Sequence, residues 1–216
     1  VHRETVVEVG AGTCSVMARL AELGFARKFF ALETSASAVE YIRSKVRFPG
    51  LAGVYLADST RTGLSDDSFD LGILSHVLEH LRDPAAVLRE TMRICRSVVL
   101  EVPLEDSFLG AVEWILRQSI LGTRRMDNRS GHIQFFNLRR TRELIAAAGG
   151  RRIRERAYRS PRETDEPERW GLAKFRTVLR SDLSELVFAA VGPRVVLTNY
   201  GALVQRARSA EARAKP

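Results

Sequence analysis

The chain has 216 residues, with 34 lysines and arginines against 26 acids, a formal charge of +8 and a pI near 10.2. At 45% hydrophobic and 28% charged residues it can bury a sizeable core, which excludes a disordered chain. No apolar run approaches the ~20 residues of a membrane span, no leader-like segment opens the chain, and the distant Cys14 and Cys95 exclude a disulfide scaffold.

The elements follow in order. "TVVEVG" (5–10) is a β-branched apolar run ending in glycine, the pattern of a buried parallel strand. "SVMARLAELG" (15–24) has helical spacing and a glycine stop. "KFFALE" (28–33) predicts a second strand, and "SASAVEYIRSKV" (35–46) a helix opened by a serine cap. "GVYLAD" (53–58) and "FDLGILS" (69–75) predict the third and fourth strands. "DPAAVLRETMRICR" (83–96) places Asp83 as cap and Pro84 at the first helical position, and "SVVLEVP" (97–103) is a fifth strand. Residues 104–136 show no clean period. "LRRTRELIAAAGG" (138–150) predicts a helix, "RRIRERAY" (151–158) a strand, 159–193 a charged, partly helical stretch, and "RVVLTNYGALVQRA" (194–207) a last strand.

Strands alternating with helices of this length predict an α/β fold: a doubly wound, Rossmann-like sheet, mostly parallel, with helices on both faces. Such sheets bind ligands at the carboxyl ends of their strands. Gly10 and Gly12 sit on a tight strand-to-helix turn, where backbone must approach a ligand. The nicotinamide fingerprint fails because Ser15 stands where its third glycine belongs, and no G-K-[ST] follows to make a P-loop. Glu33 ends the second strand, where a carboxylate can accept ribose hydroxyls or simply be solvated. Asp58, with Ser59 beside it, is either an acceptor for an exocyclic amine or a turn cap.

Taken together, "VVEVGAGTCS", "ALETSASAVE", "LADSTRTGLSDDSFDLGILSHVLEHLRDPAAVLRETMRI" and "GHIQFFNLRRTRELIAAAG" resemble the class I S-adenosylmethionine-dependent methyltransferases, in particular the small-molecule type 11/23 group. The likeness spans about residues 5 to 150. It implies S-adenosyl-L-methionine as cofactor, with Glu8, Gly10, Ala11 and Gly12 cradling its methionine part. It implies Glu33, with Thr34 next to it, at the ribose, and Asp58 and Ser59 at the adenine amine. Ser75 and His76 would border the methionine carboxylate and the acceptor pocket. Two departures stand out: Cys14 replaces the usual third glycine and narrows the turn, and the proline-glycine-glycine loop before the fifth strand is missing from "CRSVV". The expected organisation is one domain over 1–216, with substrate-lid insertions at 104–136 and 159–193 and a C-terminal antiparallel strand. The chain opens at Val1 without methionine, and a preceding segment is expected.

"SHVLEHL" (75–81) also spells H-x-x-E-H, an inverted zincin signature. Two histidines at i and i+4 can grip zinc only on a continuous helix. Asp83-Pro84 follows within three residues of His80 and stops one. The stretch therefore reads as a strand-end turn, with no metal expected, Glu79 without a role, and His80 bonded to free carbonyls of the turn. His76, nearer the strand end, is the candidate general base, and His132 in "GHIQFF" the reserve, unless the phenylalanines behind it merely hold it.

The expected reaction is O- or N-methylation of a small-molecule acceptor, anionic if the arginine excess is for binding. "EVPLEDS" followed by "GHIQFF" resembles methyltransferases of glycan and natural-product pathways. An RNA-directed methyltransferase is the alternative that the charge encourages, but "LSHVLEH" carries neither the N/D-P-P-Y/F tetrad nor the Pro-Cys of base-modifying enzymes. A non-catalytic cofactor-binding protein is the other. No membrane association is expected, and the location expected is cytoplasmic.

Overall fold

The computed structural model describes residues 3–104, 131–158 and 199–207. The expected lid segments lie outside these, apart from residue 104 and residues 131–136. In chain order the elements are β1 (Arg3–Val9), α1 (Ser15–Glu22), β2 (Ala26–Glu33), α2 (Ala36–Lys45), β3 (Leu51–Leu56) and β4 (Leu71–Ser75). Then come α3 (Pro84–Ile94), β5 (Val98–Pro103), α4 (Leu138–Ala147), β6 (Gly150–Tyr158) and β7 (Asn199–Arg206).

One seven-stranded sheet runs β3-β2-β1-β4-β5-β7-β6. The first five strands pair in parallel, and β7 is antiparallel to both β5 and β6. The expected sheet is therefore present, with its antiparallel strand inserted between two others. The order reverses where β1 meets β4, so the connections leaving their carboxyl ends diverge and open a crevice there.

Both faces of the sheet are covered. Val6, Phe29, Leu71 and Ile73 pack with Met17 of α1 and Ile42 of α2. Val7, Leu74 and Leu100 pack with Leu88 and Met92 of α3 and Ile145 of α4. Each such side chain, once buried, stabilises the fold by ~1.5–3 kcal/mol relative to exposure. Gly72 lets α3 come close, since a Cβ there would lie 2.8 Å from Cys95 Sγ and 2.8 Å from Thr91 Cγ2.

The caps read from sequence are present: Ser35 Oγ accepts from Ala38 N–H at 3.4 Å, and Asp83 Oδ1 from Ala86 N–H at 2.9 Å. Some boundaries move. β4 starts at Leu71, because Phe69 makes only an isolated bridge to Cys95. α4 stops at Ala147, because Gly149 turns back at φ 77° and Gly150 already pairs in the sheet. The arginines of β6 lie on an exposed edge strand, where charge discourages pairing with another chain. Among the described residues no helix is long and apolar enough to cross a membrane.

Candidate active site

The turn after β1 holds three successive departures from ordinary backbone: Gly10 at φ 72°, Gly12 at φ 52° and Cys14 at φ 59°. Gly10 N–H is tied to Leu32 C=O at 2.8 Å, which fixes the turn against β2. Above Gly12 is open space, with nothing within 4 Å of where a Cβ would be. Ala11 is buried, so this stretch offers backbone rather than side chains. Cys14 corrects the sequence expectation: the residue does not narrow the turn by bulk but occupies a left-handed conformation that favours glycine, with its thiol fully buried. Burial pushes that thiol up to about 12, and the carboxylates of Glu8 and Glu33 add to the effect.

Two acids face this turn. Glu33 Oε1 accepts from Gly12 N–H at 2.5 Å and its Oε2 from Thr34 N–H at 3.2 Å. The carboxylate thus folds over the glycine turn and keeps acceptor capacity beyond these two bonds. Glu8 is 4% exposed and its Oε2 has no hydrogen-bond partner. Burial raises its pKa to about 7; the Met17 amide opposes this and the Glu33 charge reinforces it. A buried carboxyl oxygen without a partner is costly unless a cation or donor meets it.

Asp58 follows β3 and is exposed. Its Oδ1 accepts from Thr60 N–H at 2.8 Å and Thr60 Oγ1 at 2.7 Å, the turn-capping arrangement. Those bonds hold its pKa below the usual carboxylate range. Oδ2 remains over, and Ser59 beside it is buried.

At the carboxyl end of β4 the strand breaks sharply. His76 sits at φ 53°, and only a single 3-10 turn, Leu78–His80, precedes α3. His76 Nδ1 lies 3.2 Å from Glu79 Oε1 and Nε2 lies 3.5 Å from Glu101 Oε1. The two carboxylates, Glu101 first, raise the imidazole to about 10. With both ring nitrogens beside carboxylates, the protonated form of the ring is favoured, which works against the general-base role expected of His76.

Glu101 of β5 was not singled out in the sequence, yet it gathers the site's polar groups. It accepts from Ser75 Oγ at 3.1 Å, from Tyr158 Oη, and from Asn199 Nδ2 at 3.5 Å. His76, then Tyr158 and Ser75, hold its carboxyl down to about 2, while burial and Glu101 push Tyr158 up to about 12. An acid inside an apolar strand run, "VVLEVP", was the available signal; Glu8 in "VVEV" carries the same one.

Glu79, given no role from sequence, is wholly buried. Its C=O accepts from both Ile133 N–H and Gln134 N–H at 2.9 Å, which docks the 131–137 segment on the turn. Its Oε1 faces His76 and its Oε2 has no partner. His80 does bond a carbonyl, but that of Gly131 at 3.3 Å rather than one of its own turn. His132 faces His80, ring centroids 5.0 Å apart at 74°. Glu79, His80 and His132 each offer a ligand atom within 4.8 Å of the others.

A family model described as "Methyltransferase domain" matches residues 7–98, the segment that supplies β1 to α3 and the start of β5. No curated protein matches the chain in sequence. Among solved structures, a Haloferax volcanii methyltransferase in complex with the Trm112 methyltransferase activator shares 18% identity and a TM-score of 0.62, over 95% of this chain and 83% of that one. A SAM-dependent methyltransferase from Archaeoglobus fulgidus shares 14%, with a TM-score of 0.59 over 94% and 86%. One from Methanosarcina mazei shares 13%, with a TM-score of 0.60 over 95% and 93%. At such identities the structural likeness is one of fold.

Proposed function

We propose that this chain, a class I S-adenosylmethionine-dependent methyltransferase, passes the methyl group to an oxygen or nitrogen of a small-molecule acceptor. The observation that carries the reading is the crevice at the sheet's reversal point, with acids Glu8 and Glu33 around the Gly10–Gly12 turn and a polar wall of Ser75, His76, Glu101 and Tyr158 opposite.

The residues present fit the cofactor. Gly12 leaves room above its α-carbon, Glu8 holds a buried oxygen in want of a cation, and Glu33 and Asp58 each keep acceptor capacity beyond their internal bonds. Gly10 to Gly12 would hold the methionine part, Glu33 with Thr34 the ribose, and Asp58 with Ser59 the adenine amine. Bound there, S-adenosylmethionine supplies a sulfonium methyl open to in-line displacement. What the chain itself does is align and exclude water. His76 holds its proton between Glu79 and Glu101, and so fixes the Glu101 carboxylate at the mouth of β5. Glu101 is the group able to accept a hydrogen bond from an acceptor hydroxyl or ammonium. His132 remains the reserve base.

A small molecule is favoured over RNA because "LSHVLEH", at the carboxyl end of β4, carries neither the N/D-P-P-Y/F tetrad nor the Pro-Cys of base-modifying enzymes. The net charge of +8 alone does not select RNA, since arginine excess attracts anions of every kind.

The deciding experiment is calorimetric titration of S-adenosylhomocysteine into wild type and Glu33→Ala. Wild type is expected to bind and the variant to lose at least about tenfold in affinity, one charge-assisted bond's worth. Absence of wild-type binding overturns the reading. Methyl transfer to a panel of phenols, amines and carboxylates, against bulk RNA at two salt concentrations, then separates the acceptor classes.

A further inference from the structure

We propose that Glu79, His80 and His132 form a site for one divalent transition-metal ion beside the polar wall. Three observations meet there. One ligand atom from each residue lies within 4.8 Å of the other two. The Glu79 side chain is wholly buried, yet its Oε2 has no partner; a bare carboxylate oxygen in that setting is costly unless a cation meets it. The turn and the 131–137 segment, which lie 51 residues apart at His80 and Gly131, are already clamped by the bonds of Ile133 and Gln134 to Glu79 C=O and of His80 to Gly131 C=O. That clamp holds the backbones carrying all three ligands close together.

His₂–carboxylate is a set that leaves a coordination position open. In a tetrahedral site with bonds of ~2.1 Å, ligand atoms stand roughly 3.4 Å apart. The observed spread closes by side-chain rotation, in which the exposed His80 exchanges its bond to Gly131 C=O for the metal. The mixture of imidazole and carboxylate suits zinc, cobalt or manganese better than magnesium or calcium. Glu79 would act with both oxygens: Oε1 stays on His76 and Oε2 turns to the metal. That hydrogen bond is the outer-shell support that metal-bound carboxylates ordinarily have. Because Glu79 also touches His76 of the polar wall, the ligand proposed for the open position is an oxygen or nitrogen of the acceptor. That last step rests on the methyl-transfer reading; the binding of metal does not.

The test uses full-length protein stripped with chelator and titrated calorimetrically with Zn²⁺, and separately with Co²⁺ followed by visible absorption. One ion per chain is expected. His80→Ala and His132→Ala should each weaken binding by at least about tenfold and abolish the intense cobalt bands of a low-coordinate site. Both histidines are at least partly exposed, so these variants keep the fold, checked by circular dichroism, whereas Glu79 is wholly buried. No uptake by wild type, or uptake that neither histidine variant alters, overturns the proposal. Titration with S-adenosylhomocysteine is the separate arm: metal binding without it sinks the methyl-transfer reading and spares the site, and the converse sinks the site alone.

Discussion

Gly10 carries its bare α-carbon against the side chain of Val77: a Cβ on Gly10 would stand 2.8 Å from Val77 Cγ2 and 3.0 Å from Cγ1. The turn leaving β1 and the turn leaving β4 thus approach closely at this one point. Gly10→Ala is expected to cost about 2–4 kcal/mol, from a left-handed φ and an overpacked contact together. Val77→Ala in the same chain should return only the steric part. Urea denaturation of the two single variants and the double variant separates them; complete rescue would mean that φ contributes nothing.

Glu8 sets stability against binding. Its folded pKa of about 7 lies above its ordinary 4.5, so the fold is favoured below the unfolded value and loses that contribution as pH rises through 7. Glu8→Gln should therefore stabilise the protein by about 2 kcal/mol at pH 8, a few degrees in Tm, and do little at pH 5. The same variant should weaken S-adenosylhomocysteine binding. In wild type, affinity should fall as pH drops below 7, because the proton must leave before a cation can sit there.

Cys14 gives a test of backbone strain. Cys14→Gly removes one more carbon than Cys14→Ala, yet it should be the more stable of the two by roughly 1 kcal/mol, since only glycine is at ease at φ 59°. Thermal melts of the pair decide it; an alanine variant equal to or above glycine would show that packing outweighs conformation.

Glu90 links α3 to the loop before β4. It accepts from Thr62 N–H at 2.8 Å and Thr62 Oγ1 at 2.7 Å, and pairs with Arg93 at 2.7 Å. Arg93 and Thr62 hold its pKa down to about 2. This contribution is present above the unfolded pKa of 4.5 and is lost as pH falls toward 2. Discounted for solvent at the Arg93–Asp66 end, Glu90→Gln should cost roughly 1–2 kcal/mol at pH 7. The loss should shrink toward zero at pH 2.5, read by denaturant midpoints at both pH values.

His76→Ala is expected to cut turnover roughly tenfold to a hundredfold while leaving cofactor affinity nearly unchanged, because it touches Glu79 and Glu101 and neither Glu8 nor Glu33. Steady-state kinetics beside calorimetry separates the two. Unaltered turnover removes His76 from the site.

What was legible in the sequence was whatever depends on near neighbours. Alternating strands and helices, the caps at Ser35 and Asp83, and the glycines after β1 all report on residues within a few positions of one another. Glu79 was given no role because its backbone partners, Ile133 and Gln134, lie more than fifty residues away and meet it only in the folded chain. Glu101 escaped for the same reason: Tyr158 and Asn199 reach it only once the sheet is assembled. Of the two carboxylates beside His76, Glu79 lies three positions on in the sequence, but Glu101 reaches it only across the β4–β5 pair.

The position of β7 has a consequence for synthesis. It lies between β5 and β6, so among the described strands β6 has no partner, and β5 keeps an unpaired edge, until Asn199–Arg206 has been made. Tyr158 and Asn199 are brought to Glu101 by that same late insertion. The acidic wall is thus assembled only after residues 199–206 have left the ribosome. A chain cut short at residue 198 would keep its β1-to-α3 half, but with a raw sheet edge prone to capture by its neighbours.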